Sequence, residues 1–375
     1  MITEKKKILP ITYPPITTYP GFAATLSILY SHEESYDWMY SHYLQIYAID
    51  KANRDEYTLP LGGAPYMVVF FGDTDNRRLT NTNSDFMFFS KEKCQYLDSF
   101  EVPTEFFIAS NEPFISFLKR SIDLDMYMYL YVDQSNIEMF HRDSGFVHPL
   151  FIFGYDDKNS EVHVADFVNG KFAYFQCSYD ELEKAFYSAM TLPNNANNML
   201  PKESDAIALI RYINYAPFTF DYSYIQDTIY EYIYPDETKT ERFNNYTMSR
   251  HSFRKRTLKT YSGVDVYNYL SDLIELERNA GRDYVDYRIY HAMYDHKEMM
   301  IKRLEYFFQQ GYLGSDKSAF LEAYNEVRDN TLSIRNSILK YNIKKDKGIT
   351  DKVVIKLDET KRLEISLLKG LFDIH

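Results

Sequence analysis

The stretch HPLFIFGYDDKNSEVHVADFVNGKFAYFQ, residues 148–176, decides the fold class. It opens with eight mostly apolar residues (148–155), a run suited to a strand buried on both faces. Residues 156–160 (DDKNS) are turn formers, and 161–167 (EVHVADF) return as a second strand. Asn169-Gly170 is a two-residue hairpin signature, and 171–176 supply a third strand. Three strands joined by tight turns make an antiparallel meander.

Working upstream, 124–132 alternate with period two. Leu124, Met126, Met128, Leu130 and Val132 fall on one face and Tyr127, Tyr129 and Tyr131 on the other, so this segment is expected as another strand. Residues 66–71 (YMVVFF) and 105–109 (EFFIA) read as short strands. Residues 21–30 and 35–49 read as two consecutive helices, the second capped by Ser35. Downstream, Ser178 with Glu181 three residues later forms a capping box for the helix SYDELEKAFYSAM. The polar, proline-bounded stretch 193–201 (PNNANNMLP) marks a loop where the fold changes.

Past residue 262 the apolar period becomes helical. Val266, Leu270, Leu273 and Ile274 share one stripe; Tyr290, Met293, Met300, Leu304 and Phe307 share another. A third begins near Asp316, and 351–372 form a fourth helix. The expected architecture is α+β. N-terminal helices pack on an antiparallel sheet over 1–195, a connecting segment spans 196–262, and a helical bundle spans 263–375.

The chain has 375 residues, of which 45% are hydrophobic and 26% charged, an ordinary globular balance that excludes a disordered or fibrous chain. No apolar run approaches the ~20 residues of a membrane span, and the first residues lack a signal-peptide core, so a soluble cytoplasmic protein is expected. A net charge of −12 argues against nucleic-acid partners. Two cysteines, Cys94 and Cys177, are too few for a disulfide framework or a cysteine-rich zinc site. His291 and His296 are five apart and share no helix face, so no metal is expected. No glycine-rich phosphate loop implies ATP or NAD. The 36 tyrosines and 27 phenylalanines against a single Trp fit either an amphipathic groove or the codon bias of an AT-rich genome.

Chemistry points first to His148. It opens a buried strand, and Asp166 follows on the next one. A hairpin meander can set these two ends side by side, where the carboxylate fixes the imidazole tautomer and leaves a general base; a structural pair at a sheet edge has the same spacing.

The segment HPLFIFGYDDKNSEVHVADF resembles the histidine and aspartate strands of papain-like enzymes of the double-glycine leader peptidase type. With YLQIY (43–47), MYMYLYVDQ and MYDHKEMMIKRLEYF, it is more closely similar to the butirosin biosynthesis protein H-like family, found with peptide-synthetase and polyketide clusters. The resemblance implies a papain-like N-terminal domain and a transacylase or hydrolase acting on carrier-protein thioesters. Its cofactor count would be none, the substrate riding on phosphopantetheine. It also implies a cysteine nucleophile at the start of the first helix. Here the matching stretch is Gly21-Phe22-Ala23-Ala24-Thr25-Leu26, so glycine stands at the nucleophile position. A natural loss leaving a binding pseudoenzyme, an engineered substitution, and a different register with Ser27 as nucleophile all remain open.

Thr18 or backbone amides at the helix start would serve as oxyanion donors, and Phe22 and Trp38 would contact substrate. The one dense basic stretch, 250–259, places Arg254, Lys255 and Arg256 where a phosphopantetheine phosphate or an acidic carrier protein could dock; a solvated loop fits the same composition. A peptidase is the third reading, disfavoured by the helical C-terminal part.

Overall fold

The computed structural model describes residues 5–18, 20–49, 67–71, 94–192, 206–214, 218–235, 260–279, 281, 283–314 and 319–374. The chain runs through β1 (Lys6–Ile8), α1 (Pro20–Leu29), α2 (Tyr36–His42), β2 (Tyr43–Ile49) and β3 (Met67–Phe71). Then come β4 (Leu97–Pro103), α3 (Thr104–Ala109), α4 (Phe114–Asp123), β5 (Tyr127–Asp133), β6 (Val147–Asp156), β7 (Glu161–Val168) and β8 (Lys171–Ser178). After α5 (Tyr179–Thr191) follow β9 (Ala206–Tyr212), α6 (Tyr222–Ile233) and β10 (Thr260–Ser262). Four helices close the chain: α7 (Val266–Asn279), α8 (Tyr287–Gln309), α9 (Ala319–Lys344) and α10 (Lys347–Phe372).

The chain divides into two compact units. Among the described residues, the first takes those up to Ser35 and 94–214. The second takes 36–49, 67–71 and 218–374.

The first unit is an antiparallel sheet in the order β4-β9-β5-β6-β7-β8, with β1 added to β6. Its meander follows from turn chemistry. Asn169 and Gly170 both adopt positive φ (51° and 76°), the backbone a two-residue hairpin requires, and Val168 pairs with Lys171 across it. The capping box forms: the Glu181 N–H donates to Ser178 Oγ at 3.2 Å, and the Ser178 N–H donates to Glu181 Oε2 at 2.8 Å.

Both sheet faces are covered, which is why β6 reads as a continuous apolar run. On one face lie α4 and α5, with the Tyr155 hydroxyl donating to Asp123 Oδ1 (2.8 Å) and Phe114 stacked on Phe186. An N-terminal strap, residues 5–13, joins the sheet edge through β1 and then crosses the other face beside α1. There Tyr127 donates to the Pro10 carbonyl (2.5 Å), and the hydroxyls of Ser27 and Tyr174 meet at 2.9 Å.

The strap requires Gly154. It lies where β6 is bulged against β7, and a Cβ there would come within 2.7 Å of the Lys7 carbonyl oxygen. Lys5, Lys6 and Lys7 fasten the strap by pairing with Asp123 (2.6 Å), Asp156 (2.9 Å) and Asp125 (2.6 Å).

The second unit combines the three-stranded sheet β10-β2-β3 with α2 and α6–α10. At its centre Lys297 (α8) and Glu364 (α10) form a fully buried ion pair at 2.8 Å. Hydroxyls of Tyr232 (α6), Tyr267 (α7) and Tyr324 (α9) all donate to the same carboxylate. Among the described residues, no helix is long and apolar enough to cross a membrane.

Several elements depart from the sequence reading. The helix expected over 35–49 ends at His42, and Tyr43 starts β2, because pairing with β3 and β10 outweighs local helix propensity. The strand expected over 105–109 is the helix α3: Phe106 is 71% exposed while Phe107 is buried, and Pro103 precedes the first helical turn. A five-residue apolar run carries too little period to decide between strand and helix. The strand expected from Leu124 starts at Tyr127, since Asp125 takes a positive φ of 60° in the turn after α4. The segment 196–262 is more than a connection. It supplies α6 and β10, and β9 pairs with β4 on one side and β5 on the other.

Candidate functional site

The meander register brings His148 and Asp166 together. Phe151 pairs with Ala165, so alternation puts Asp166 on the same sheet face as Leu150 and His148. His148 Nδ1 lies 2.7 Å from Asp166 Oδ2. The aspartate side chain is 1% exposed and the imidazole 31%, so a buried anion orients a ring that reaches solvent. A carboxylate acceptor selects the Nδ1–H form, and the lone pair of the neutral ring then resides on Nε2. The Phe146 ring stacks beside the imidazole (5.9 Å, 21°), with the Arg142 guanidinium 4.5 Å over that phenyl face.

A third residue joins them that sequence reasoning missed. Gln134 follows β5 in a short 3₁₀ turn and is 1% exposed. Its Nε2 donates to Asp166 Oδ2 and lies 3.3 Å from His148 Nδ1. The turn is held by Asp133, itself buried. Asp133 Oδ1 accepts from the Ser135 N–H (3.1 Å) and hydroxyl (2.7 Å), and Oδ2 from Asn136 Nδ2 (3.1 Å) and the Ser188 hydroxyl of α5 (2.7 Å). The run Asp133-Gln134-Ser135-Asn136 carries the turn signal, an aspartate bonding the backbone two residues on; nothing in it marks the glutamine.

Gly21 lies in the first turn of α1 and is buried, as is Phe22. α1 packs on β6 and β7, the strands that carry His148 and Asp166. Ser27 reaches Tyr174, whose strand partner is Ala165, so the middle of α1 covers the sheet face opposite Asp166. Gly21 and His148 both lie at the N-terminal ends of their elements. Thr18 is half-buried in the bend before α1.

The other nucleophile candidates are weak. Ser27 is fully buried and donates its hydroxyl proton to the Ala23 carbonyl (2.7 Å). Burial pushes the Cys94 thiol up to about 12, and burial with Glu181 and Glu161 nearby pushes Cys177 up as well. Trp38 belongs to α2 in the second unit, is 4% exposed and stacks on His42. Arg254, Lys255 and Arg256 lie outside the described residues. Comparison with protein-family models and with curated proteins finds no match to this chain.

Proposed function

We propose that this chain is a papain-like acyl-transfer protein of natural-product assembly, acting on carrier-protein thioesters with His148 as base and Asp166 as its orienter. The observation that carries the reading is the 2.7 Å contact between a buried carboxylate and a solvent-reaching imidazole on adjacent strands. The position of Gly21 in the first turn of α1, a helix that packs on the same two strands though with its middle on the face opposite Asp166, is the start the papain-like part expects. With glycine at position 21, the base acts on the acceptor directly. His148 takes the proton of an amine or water as it attacks the thioester carbonyl, and the departing thiolate of the phosphopantetheine arm takes that proton back. The partner is an acyl or peptidyl carrier protein, docked through Arg254, Lys255 and Arg256, in the cytoplasm. Gly21 itself favours a second reading, a pseudoenzyme that binds the carrier protein without turning it over.

The test restores the thiol. Gly21→Cys, incubated with a carrier-protein thioester, should gain the mass of one acyl group by intact mass spectrometry, and Gly21→Cys/His148→Ala should not. Its thiol should alkylate faster near pH 7 than a free cysteine of pKa ~8.5. A thiol of ordinary reactivity that never acylates overturns the papain-like reading. Carrier-protein binding without turnover by the unsubstituted chain supports the pseudoenzyme.

A further inference from the structure

Asp166 is a fully buried carboxylate whose hydrogen bonding is concentrated on one oxygen. Oδ2 accepts from His148 and from Gln134, while Oδ1 is buried with no hydrogen-bond partner among the described residues. A buried anion served through one oxygen depends on each donor it has. Gln134 is the neutral one, and its backbone is doubly fixed. Its N–H donates to the Phe146 carbonyl (2.9 Å), and the Asp133 carboxylate pins the turn with four donors drawn from that turn and from α5. The amide cannot face the other way, because its oxygen would then oppose the carboxylate.

From this we infer that Gln134 is a positioning residue: its amide fixes Asp166 Oδ2 beneath the imidazole and takes up part of the carboxylate charge, setting how tightly His148 holds a proton. The inference rests on the proposal that His148 is the base, but its geometry does not need that proposal. Charged groups around His148 include Asp166 on β7, Asp133 at the end of β5, and Arg142 behind the Phe146 ring. Asp133 is already occupied by its four donors, so Gln134 is the group whose removal most changes what Asp166 presents to the imidazole.

The measurement is the NMR titration of labelled His148. In Gln134→Leu the carboxylate loses its neutral donor and leans on the imidazolium, so the midpoint rises. In the near-isosteric Gln134→Glu the new carboxyl, buried against Asp166, holds a proton shared with it and donates to Oδ2 in the amide's place, so the midpoint should lie closer to that of the unsubstituted protein than in Gln134→Leu. A midpoint that rises in the Leu variant and returns in the Glu variant is one that mere loosening of the turn would not produce. An unchanged midpoint in Gln134→Leu overturns the inference. Should the variants fail to fold, the unsubstituted protein decides: the Gln134 side-chain amide resonances must shift as His148 titrates, and fixed resonances overturn it. Midpoints that move while Gly21→Cys never acylates retain Gln134 and remove the acyl-transfer reading. Acylation with unmoved midpoints does the reverse.

Discussion

His42 shows how one side chain can set an acid limit on stability. It lies at the end of α2, stacked on Trp38 and flanked by Phe218 and Tyr224, with its Nδ1 2.7 Å from the Trp38 carbonyl oxygen. Burial, opposed by that carbonyl and reinforced by the charge of Arg303, lowers its pKa from 6.5 to about 4. As pH falls below 6.5 the unfolded chain takes up a proton that the folded chain refuses. Stability is therefore lost between pH 6.5 and about 4, at up to ~1.4 kcal/mol per pH unit. His42→Phe keeps a ring and removes the titration. Urea midpoints measured at pH 7 and pH 5 should fall less for this variant than for the unsubstituted protein; equal falls would mean that the ring protonates in the folded state. At the same scale, the His148–Asp166 pair is legible because a meander fixes which residues lie side by side. Gln134 is not, since it reaches Asp166 through a turn whose path no local period encodes.

Among the elements, the N-terminal strap illustrates how backbone approach and charge differ in strength. Its ion pairs join lysines half or a quarter exposed to aspartates at the ends of α4 and β6 and in the turn after α4. Such pairs contribute ~0–1 kcal/mol each and weaken with salt. The close approach of β1 at Gly154 is a packing constraint and should matter more. Gly154→Ala should cost ~1–3 kcal/mol by urea denaturation and should raise amide exchange at Lys7 and Ile8, whereas Lys5→Ala should cost less than ~1 kcal/mol and nothing at high salt. A neutral Gly154→Ala would show that the strap can move aside freely. The elements legible in the sequence were those with long periods or explicit turn chemistry: the meander, α5 and the closing helices. β2, α3 and β9 were not. Each is a short apolar run whose state is decided by partners distant in sequence, as Ile46 and Ala48 of β2 are buried within the small sheet.

For the molecule as a whole, the abundance of tyrosine has a partial answer in the second unit. Three tyrosine hydroxyls from three helices converge on Glu364, which also pairs with Lys297. Desolvation lowers the Lys297 pKa while Glu364 holds it up. Five helices thus meet at one carboxylate, and no spacing reveals it, because Lys297 and Glu364 are 67 residues apart. Glu364→Leu leaves an unpaired buried ammonium and should cost ~3–5 kcal/mol, read from thermal or urea unfolding; Glu364→Leu/Lys297→Met removes that charge and should recover part of the loss. A double variant no more stable than the single would locate the cost in the stranded hydroxyls instead.

The placement of β9 has a consequence for how the protein is made. The sheet order sets β9 between β4 and β5, yet β9 emerges from the ribosome last of the sheet strands, after α5 is complete. Until residue 212 is free, β5 presents an open edge and β4 has no neighbour to join it to the sheet. A fragment cut at residue 195, where composition alone would place a boundary, is frozen at that stage. It should therefore expose a strand edge and self-associate, while a fragment carried through residue 214 would hold every strand of the first sheet.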